Sequence, residues 1–515
     1  MSNQFSISVK SILRYKSVII LLFLLCVLYF SLRLPNLTLQ PIFADEAIYI
    51  RWAQVMKAEP TLRFLPLSDG KTPLFMWAMM PLFKIFQDPL LAGRILSVFS
   101  GFLTLLGVFF LGWKFFGTKV GLWSAFLIAI TPFMVFFDRM ALVDSLLAAF
   151  SIWSLNLVLL LTQYRRLDIA IFLGYALGGG LLTKTPAMFN LLILPVTLVA
   201  FNWKINKRSL ILVRTIGLWI VAIVTALVIY NLLRLGPGFE NLNSRNQDYV
   251  FSFWELKDRP LDPFIPHLRD LTDWLPKMLT WPILSLALGG VASVFYFRNY
   301  YGITIVLWFL IPLLAEMIFY KTFTTRYILF TIPPLLLLAG WFISKLENRF
   351  FPFTWNKMLL VLFLAMSALH INYYLLTNPA KSFLPQETRR GYLADWTAGY
   401  GFKEIAQQLI KESKYASIVV GTEGTFGTLP DGLLIYLDSY FHQTINPRIS
   451  VLGGGATISA SLRKAAEENK TYFIANRSRF SQLPKGVTVV KEIPKIVSTG
   501  MPQDAIIFLQ VFPEK

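Results

Sequence analysis

The sequence predicts a polytopic α-helical membrane protein of about eleven transmembrane helices, followed by a small extracytoplasmic α/β domain. Three observations carry that reading. Hydrophobic residues make up 55% of the 515 and charged residues only 15%, where a soluble chain carries about a quarter charged. Apolar runs long enough to cross about 30 Å of hydrocarbon recur along residues 17–377. Beyond 377 the pattern changes to short apolar runs alternating with helical stretches.

The net charge is +19. In a soluble protein that balance suggests nucleic acid. Here Lys and Arg sit mostly in short loops between apolar runs, where they set topology, so the expected partners are membrane lipids and not nucleic acid. The single cysteine, Cys26, lies inside the first run, which excludes a disulfide framework.

Lys10, Arg14 and Lys16 precede the first run, 17–34, and place that end in the cytoplasm. The run is long, ends at Arg33 and lacks a small-residue cleavage site, so it reads as a retained helix. Further spans are expected at 95–113, 119–137, 141–162, 168–183, 186–202, 209–233, 278–297, 302–320, 327–344 and 357–377. The apolar run 73–87 is broken by Pro81 and charged at Lys84. As a helix it reaches only roughly 22 Å, so it reads as interfacial. With that run outside the bilayer, the basic loops at Lys114, Arg165, Lys204, Arg298 and Lys345 all fall on the cytoplasmic side.

This topology gives a membrane domain over 1–377, with long outer loops at 35–94 and 234–277, and an outer domain over 378–515, all in the plasma membrane. Apolar runs at 416–421, 448–452, 471–475, 487–492 and 505–512 read as strands, with helices at 402–413 and 457–468. Gly453-Gly454-Gly455 reads as a turn, without the spacing of a dinucleotide-binding loop.

Polar residues at the outer ends of the spans are the candidate chemistry. Asp45 and Glu46 open an amphipathic stretch, 45–57, with Ile48, Trp52, Val55 and Met56 on one face. The plain reading is an N-cap and a first-turn acid favoured by the helix dipole. The functional reading is a general base whose pKa is raised by partial burial. Asp144 begins an otherwise apolar helix on the same outer side, where an ionisable group is costly. Asp138 reads as a partner for Arg139. Lys71, Lys184, Lys321 and Arg326 run against the positive-inside bias. They could anchor headgroups or neutralise a phosphate.

Together these pieces give a resemblance. Asp45-Glu46-Ala47-Ile48-Tyr49, Lys71-Thr72-Pro73-Leu74, Arg94-Ile95-Leu96-Ser97 and Ala141-Leu142-Val143-Asp144 come first. Gly180-Leu181-Leu182-Thr183-Lys184-Thr185-Pro186 and Arg326-Tyr327-Ile328-Leu329 follow, leading into Pro333-Pro334. In this order, over roughly 17–345, the chain resembles the membrane glycosyltransferases of the GT-C fold, in the protein-mannosyltransferase and aminoarabinose-transferase-like superfamily. The resemblance implies hexosyl or pentosyl transfer from a polyprenyl-phosphate-linked sugar to an unidentified glycan, lipid or protein acceptor, outside the cytoplasm. It maps the main catalytic carboxylate onto Asp45, with Glu46 beside it, a second acid onto Asp144 and the first-loop phosphate-binding lysine onto Lys71. Lys184, Lys321 and Arg326 complete the expected phosphate site. Some relatives carry Glu immediately before that lysine. This chain has Gly70, with Asp69 one place earlier, which leaves a third carboxylate open.

The expected reaction is an inverting displacement with no required cofactor. Three scattered histidines (His267, His370 and His442) offer no metal-ligand spacing, and a divalent cation at Asp45 and Asp144 stays open. A flippase or sensor of lipid-linked sugars is the alternative. A transporter more typically shows internal repeats and broken midplane helices, and no repeat is visible.

Overall fold

The computed structural model describes residues 9–259, 261–350, 354–500 and 502–513. Six described helices are long and apolar enough to cross a membrane: Pro89–Phe116, Asp144–Tyr164, Arg208–Leu235, Tyr300–Phe319, Tyr327–Glu347 and Asn356–Thr377. Two bent pairs raise the number to eight, against the eleven expected. The expected spans at 17–34, 168–183 and 186–202 correspond to the shorter apolar helices Lys16–Ser31, Leu167–Thr183 and Thr185–Ala200. The run expected at the interface is shorter still, Leu74–Lys84.

Both bends have local causes. Thr118–Ile130 and Pro132–Asp138 meet at 60° across Thr131, where Pro132 removes a backbone donor. Phe264–Leu279 and Trp281–Tyr296 meet at 114° across Thr280, whose φ is +69°. The expected span 278–297 corresponds to Trp281–Tyr296, and the bend at Thr280 sets it off from Phe264–Leu279.

Buried arginines hold the ends of the helices in register. Arg33 pairs with Asp138 at 2.9 Å and donates to the carbonyls of Ala129 and Ile128, with both side chains out of water. The expected Asp138–Arg139 pair is thus corrected. Arg139 instead donates to the carbonyls of Arg33, Pro35 and Asn36, and Asp138 also accepts from Tyr29 and Ser145. A carboxylate at the end of a hydrophobic helix needs a full set of donors, and it takes those that reach it across helices rather than its sequence neighbour.

Seven strands are present among the described residues. β1 (Ile42–Phe43) pairs antiparallel with β2 (Ala398–Gly399), and Ala44 N donates to Thr397 O at 2.9 Å. β3 (Ile418–Glu423), β4 (Ile449–Gly454), β5 (Lys470–Asn476), β6 (Val487–Pro494) and β7 (Ala505–Val511) form one mixed sheet in the order β4-β3-β5-β7-β6. The first three are parallel and the last two antiparallel to their neighbours. Each of the five lies on one of the expected apolar runs. Helix Phe402–Glu412 matches its expectation, whereas 457–468 shortens to Ala460–Ala465. Asp431–Gln443 is a helix that the sequence reading left out.

That helix alters the setting of Ala44–Ala58. The sequence suggests an amphipathic helix lying on the membrane. In the fold, Asp431–Gln443 covers it: Arg51 pairs with Asp438 at 2.8 Å, and Gln54 donates to Ile435 O at 2.9 Å. Ile48, Trp52 and Met56 are buried as expected, but so are Glu46, Ile50 and Gln54 on other faces. The C-terminal domain thus pins the helix that carries Asp45 from above while the membrane helices hold it from below.

Candidate active site

A cavity of about 720 Å³ opens where the loops 35–94 and 234–277 meet the C-terminal domain. Asp45, Asp69, Lys71, Asp144, Lys184 and Arg326 line it, brought from five separate parts of the chain. Each is placed by a local device. Asp45 sits in the first turn of Ala44–Ala58. Asp144 is the first residue of Asp144–Tyr164, where the helix dipole favours an anion. Lys184 follows the last turn of Leu167–Thr183 in extended backbone. Arg326 precedes the 3-10 turn Tyr327–Thr331.

Lys71 depends on Gly70. The glycine adopts φ +63° at the end of Leu65–Asp69, and a Cβ there would lie 2.4 Å from the Arg245 side chain and 2.6 Å from Asn241 O. Only glycine satisfies both the left-handed turn and that approach. Glycine at this position is therefore the feature that lets Arg245 close over the loop. Asp69 stands in the cavity, 3.3 Å from Lys71, so a third carboxylate is present one position earlier.

The charges are paired inside the cavity. Arg326 donates to Asp45 Oδ2 at 2.5 Å, and Lys71 Nζ is 3.6 Å from Asp45 Oδ1. Lys184 donates to Asp144 Oδ1 at 2.6 Å, and Asp144 Oδ2 has no hydrogen bond among the described residues. Aromatic faces support the cations: Lys184 lies 4.3 Å from the Tyr327 ring centroid, and Lys71 lies 5.3 Å from that of Tyr49. Burial pushes the Asp45 carboxyl upward, but Arg326, then Lys71, outweigh it and hold the group well below the usual carboxylate range. The expectation of a raised pKa is corrected: fixed cations dominate over desolvation here.

Two of the expected site residues lie elsewhere. Glu46 is fully buried and does not line the cavity. It takes a two-point bond from Arg94, at 2.8 and 2.7 Å, and accepts from Phe43 N and Ala141 N. Arg94 then donates to the carbonyls of Leu37, Gln40 and Pro41. Glu46 and Arg94 thus clamp the loop that delivers Asp45, and Glu46, expected in the site, stands outside the cavity that holds Asp45. Lys321 points away, toward Gln247 O at 2.8 Å and Glu255 at 3.5 Å, and is outside the cavity lining.

Other lining residues escaped sequence reading. Arg245 and Tyr249 come from the loop 234–277, and Trp396 and Phe426 from the C-terminal domain. Trp396 and Phe426 are 47% and 45% exposed, so they form a wet aromatic rim. Behind the wall, Glu316 in the last turns of Tyr300–Phe319 is fully buried. Among the described residues, no group of three or more His, Cys, Asp or Glu could hold a metal ion. Each of the two carboxylates considered for a cation, Asp45 and Asp144, already faces a basic side chain.

Residues 70–230 match a family model described as dolichyl-phosphate-mannose-protein mannosyltransferase. No curated protein gave a significant match. Among solved structures, ArnT from Cupriavidus metallidurans in the apo state matches with TM-score 0.61 at 16% identity, over 96% of this chain and 98% of that one. The same protein bound to undecaprenyl phosphate matches with TM-score 0.59 at 15% identity, again over 96% and 98%. The oligosaccharyltransferase AglB from Archaeoglobus fulgidus, in complex with an inhibitory peptide and a dolichol-phosphate, matches with TM-score 0.53 at 12% identity, over 90% and 70%. The chain has the GT-C fold expected from its motifs: a multi-pass helical membrane domain with a small C-terminal sheet domain.

Proposed function

We propose that this chain, built on the GT-C fold, is a glycosyltransferase that moves a sugar from a polyprenyl-phosphate donor to an acceptor group at the outer face of the membrane. One observation carries the reading. Lys71, Lys184 and Arg326, from three loops far apart in sequence, converge with Asp45 and Asp144 in a single cavity at the ends of the membrane helices. Such a set of fixed cations suits a phosphate, and the matched ArnT and AglB structures hold undecaprenyl phosphate and a dolichol-phosphate.

The pairing pattern suggests a sequence of events. Without donor, Arg326 and Lys71 neutralise Asp45. An arriving phosphate competes for both cations. As they turn toward it, the cations that depress the basicity of Asp45 are shared with the phosphate, and the carboxylate faces an acceptor hydroxyl as a stronger base. The hydroxyl gives its proton to Asp45, its oxygen bonds to the anomeric carbon, and the bond from that carbon to the phosphate oxygen breaks. The electron pair leaves with the phosphate, where Arg326, Lys71 and Lys184 stabilise the growing charge. Attack opposite the leaving group inverts the anomeric centre. Asp144 lines the cavity, and its Oδ1, released when Lys184 turns toward the phosphate, is suited to accept a hydrogen bond from a sugar hydroxyl. The reaction as drawn uses side-chain charge alone; a divalent cation, if bound, would sit at Asp45 and Asp144.

Vesicles supplied with labelled polyprenyl-phosphate hexoses and pentoses test the proposal. Label leaving the lipid with wild type, and not with Asp45→Asn, supports transfer and names the sugar. Label crossing the bilayer still attached to its lipid would replace this reading by a flippase.

A further inference from the structure

Two aromatic rings on the rim of the cavity have no part in the scheme above. Trp396 and Phe426 both come from the C-terminal domain, and both stand about half exposed. The backbone holds each in place. Phe426 lies on the loop that leaves β3, where Gly424 O accepts from Gly454 N at 2.9 Å and Gly427 N donates to the buried Asp431 at 2.8 Å. Its ring meets that of Trp52 at 5.7 Å between centroids. Trp396 N donates to Asp395 Oδ1 at 2.7 Å, and Asp395 O accepts from the buried Lys495 at 2.8 Å. The indole N–H of Trp396 has no partner among the described residues.

Sheet topology brings one ring to the site. In the order β4-β3-β5, the crossover after β3 runs to one side of it, and the next carries the chain to the other. In open sheets of this kind, ligands bind outside the carboxyl ends of the strands beside such a switch. Here the loop from the carboxyl end of β3 reaches the cavity that holds Asp45. Trp396 precedes Thr397, whose carbonyl accepts from Ala44 N, and so stands beside the start of Ala44–Ala58. Trp52, against which Phe426 packs, lies roughly 10 Å further along that helix from Asp45. The two rings thus mark the ends of a stretch that a short oligosaccharide spans.

The chemistry of the rim favours a sugar. A pyranose offers C–H faces to an aromatic ring and hydroxyls at its edge, and Arg245, Asn246 and Thr322 line the same cavity with hydrogen-bonding ends. A peptide joining a strand edge needs free backbone, and the N–H groups nearest the rings are taken: Ala44 by Thr397 O, Trp396 by Asp395 and Gly427 by Asp431. An acyl chain needs an apolar wall continuous with a membrane helix, whereas both rings belong to the C-terminal domain. We propose that Trp396 and Phe426 form a stacking platform for a carbohydrate acceptor, so that the hydroxyl attacking the donor belongs to a sugar ring. This rests on the transferase reading above.

The test presents the full-length chain in nanodiscs to an array of hexose, pentose and amino-sugar oligosaccharides, with unglycosylated peptides and fatty-acyl lipids beside them. Wild type should bind a saccharide. Trp396→Ala and Phe426→Ala should each weaken that binding about tenfold, and Trp396→Phe and Phe426→Tyr should keep most of it. All four variants should melt close to wild type, because the rings are half exposed. Undecaprenyl phosphate should bind them as it binds wild type, because Lys71, Lys184 and Arg326 are untouched. Where the bound saccharide also takes label from a donor lipid, its KM should rise in the alanine variants while the donor KM holds. No saccharide bound, a peptide or lipid bound in preference, or alanine variants that bind saccharide like wild type would each overturn the proposal. So would loss of binding in step with loss of melting temperature. If saccharide binding depends on both rings but no label leaves any donor, the transferase reading fails while the role of the rings in sugar binding stands.

Discussion

Replacing Asp45 by Asn should separate binding from turnover in opposite directions. The side chain keeps its size, so the cavity keeps its shape. What disappears is the anion that holds Arg326 at 2.5 Å and Lys71 at 3.6 Å. Unit charges about 4 Å apart at an effective dielectric near 20 interact by roughly 4 kcal/mol. Asp45 and Arg326 are 17% and 14% exposed, so solvent removes part of this. A phosphate entering wild type must displace that carboxylate, and competition worth roughly 1–2 kcal/mol vanishes in the variant. Binding of undecaprenyl phosphate should therefore tighten about 5- to 30-fold. Turnover should meanwhile fall about 10²- to 10⁴-fold with the loss of the proton acceptor. Calorimetric titration in nanodiscs gives the first number, and label release from the donor gives the second. Weaker phosphate binding in Asp45→Asn would refute the competition between carboxylate and phosphate. Near-normal turnover would remove Asp45 from the chemistry.

Arg326→Gln should move the acid limb of the pH–rate profile upward. Asp45 is depressed because Arg326 and Lys71 outweigh burial; without Arg326, burial counts for more and protonation sets in at higher pH. The same depression adds stability above the unfolded carboxylate pKa that is lost as pH falls through the folded one, so wild type should be more stable than the variant at neutral pH and lose that advantage in acid. An acid limb that stays in place would contradict this. Arg94→Met leaves Glu46 charged and unpaired in the interior and should cost about 3–5 kcal/mol, read as a large drop in melting temperature in detergent. Glu46→Gln with activity lost at full stability would return Glu46 to catalysis. Gly70→Ala should weaken donor use by displacing Lys71, because its Cβ meets Arg245 at 2.4 Å and its φ is +63°; full donor affinity in that variant would deny the turn its role.

The sequence by itself determined the class of protein, the order of its helices and the strand runs of the C-terminal domain, because hydrophobic periodicity is a local signal written into every element. It also pointed to Asp45, Lys71, Asp144, Lys184 and Arg326, since charge at the end of an apolar run is conspicuous wherever it occurs. Tertiary structure decided what these residues do to one another. Asp45 and Glu46 are adjacent in sequence, yet a helix turns successive side chains by about 100°. Asp45 therefore faces the cavity, while Glu46 faces Arg94 in the interior. The same rule sent Asp138 to Arg33 rather than to its neighbour Arg139. Arg245, Trp396 and Phe426 reach the cavity from parts of the chain far from its motifs, and Glu316 lies behind it within an otherwise apolar helix. Whether a buried carboxylate is a cost, a clamp or a tool depends on the donors that surround it, and those come from residues tens or hundreds of positions away, which only the folded chain brings within reach.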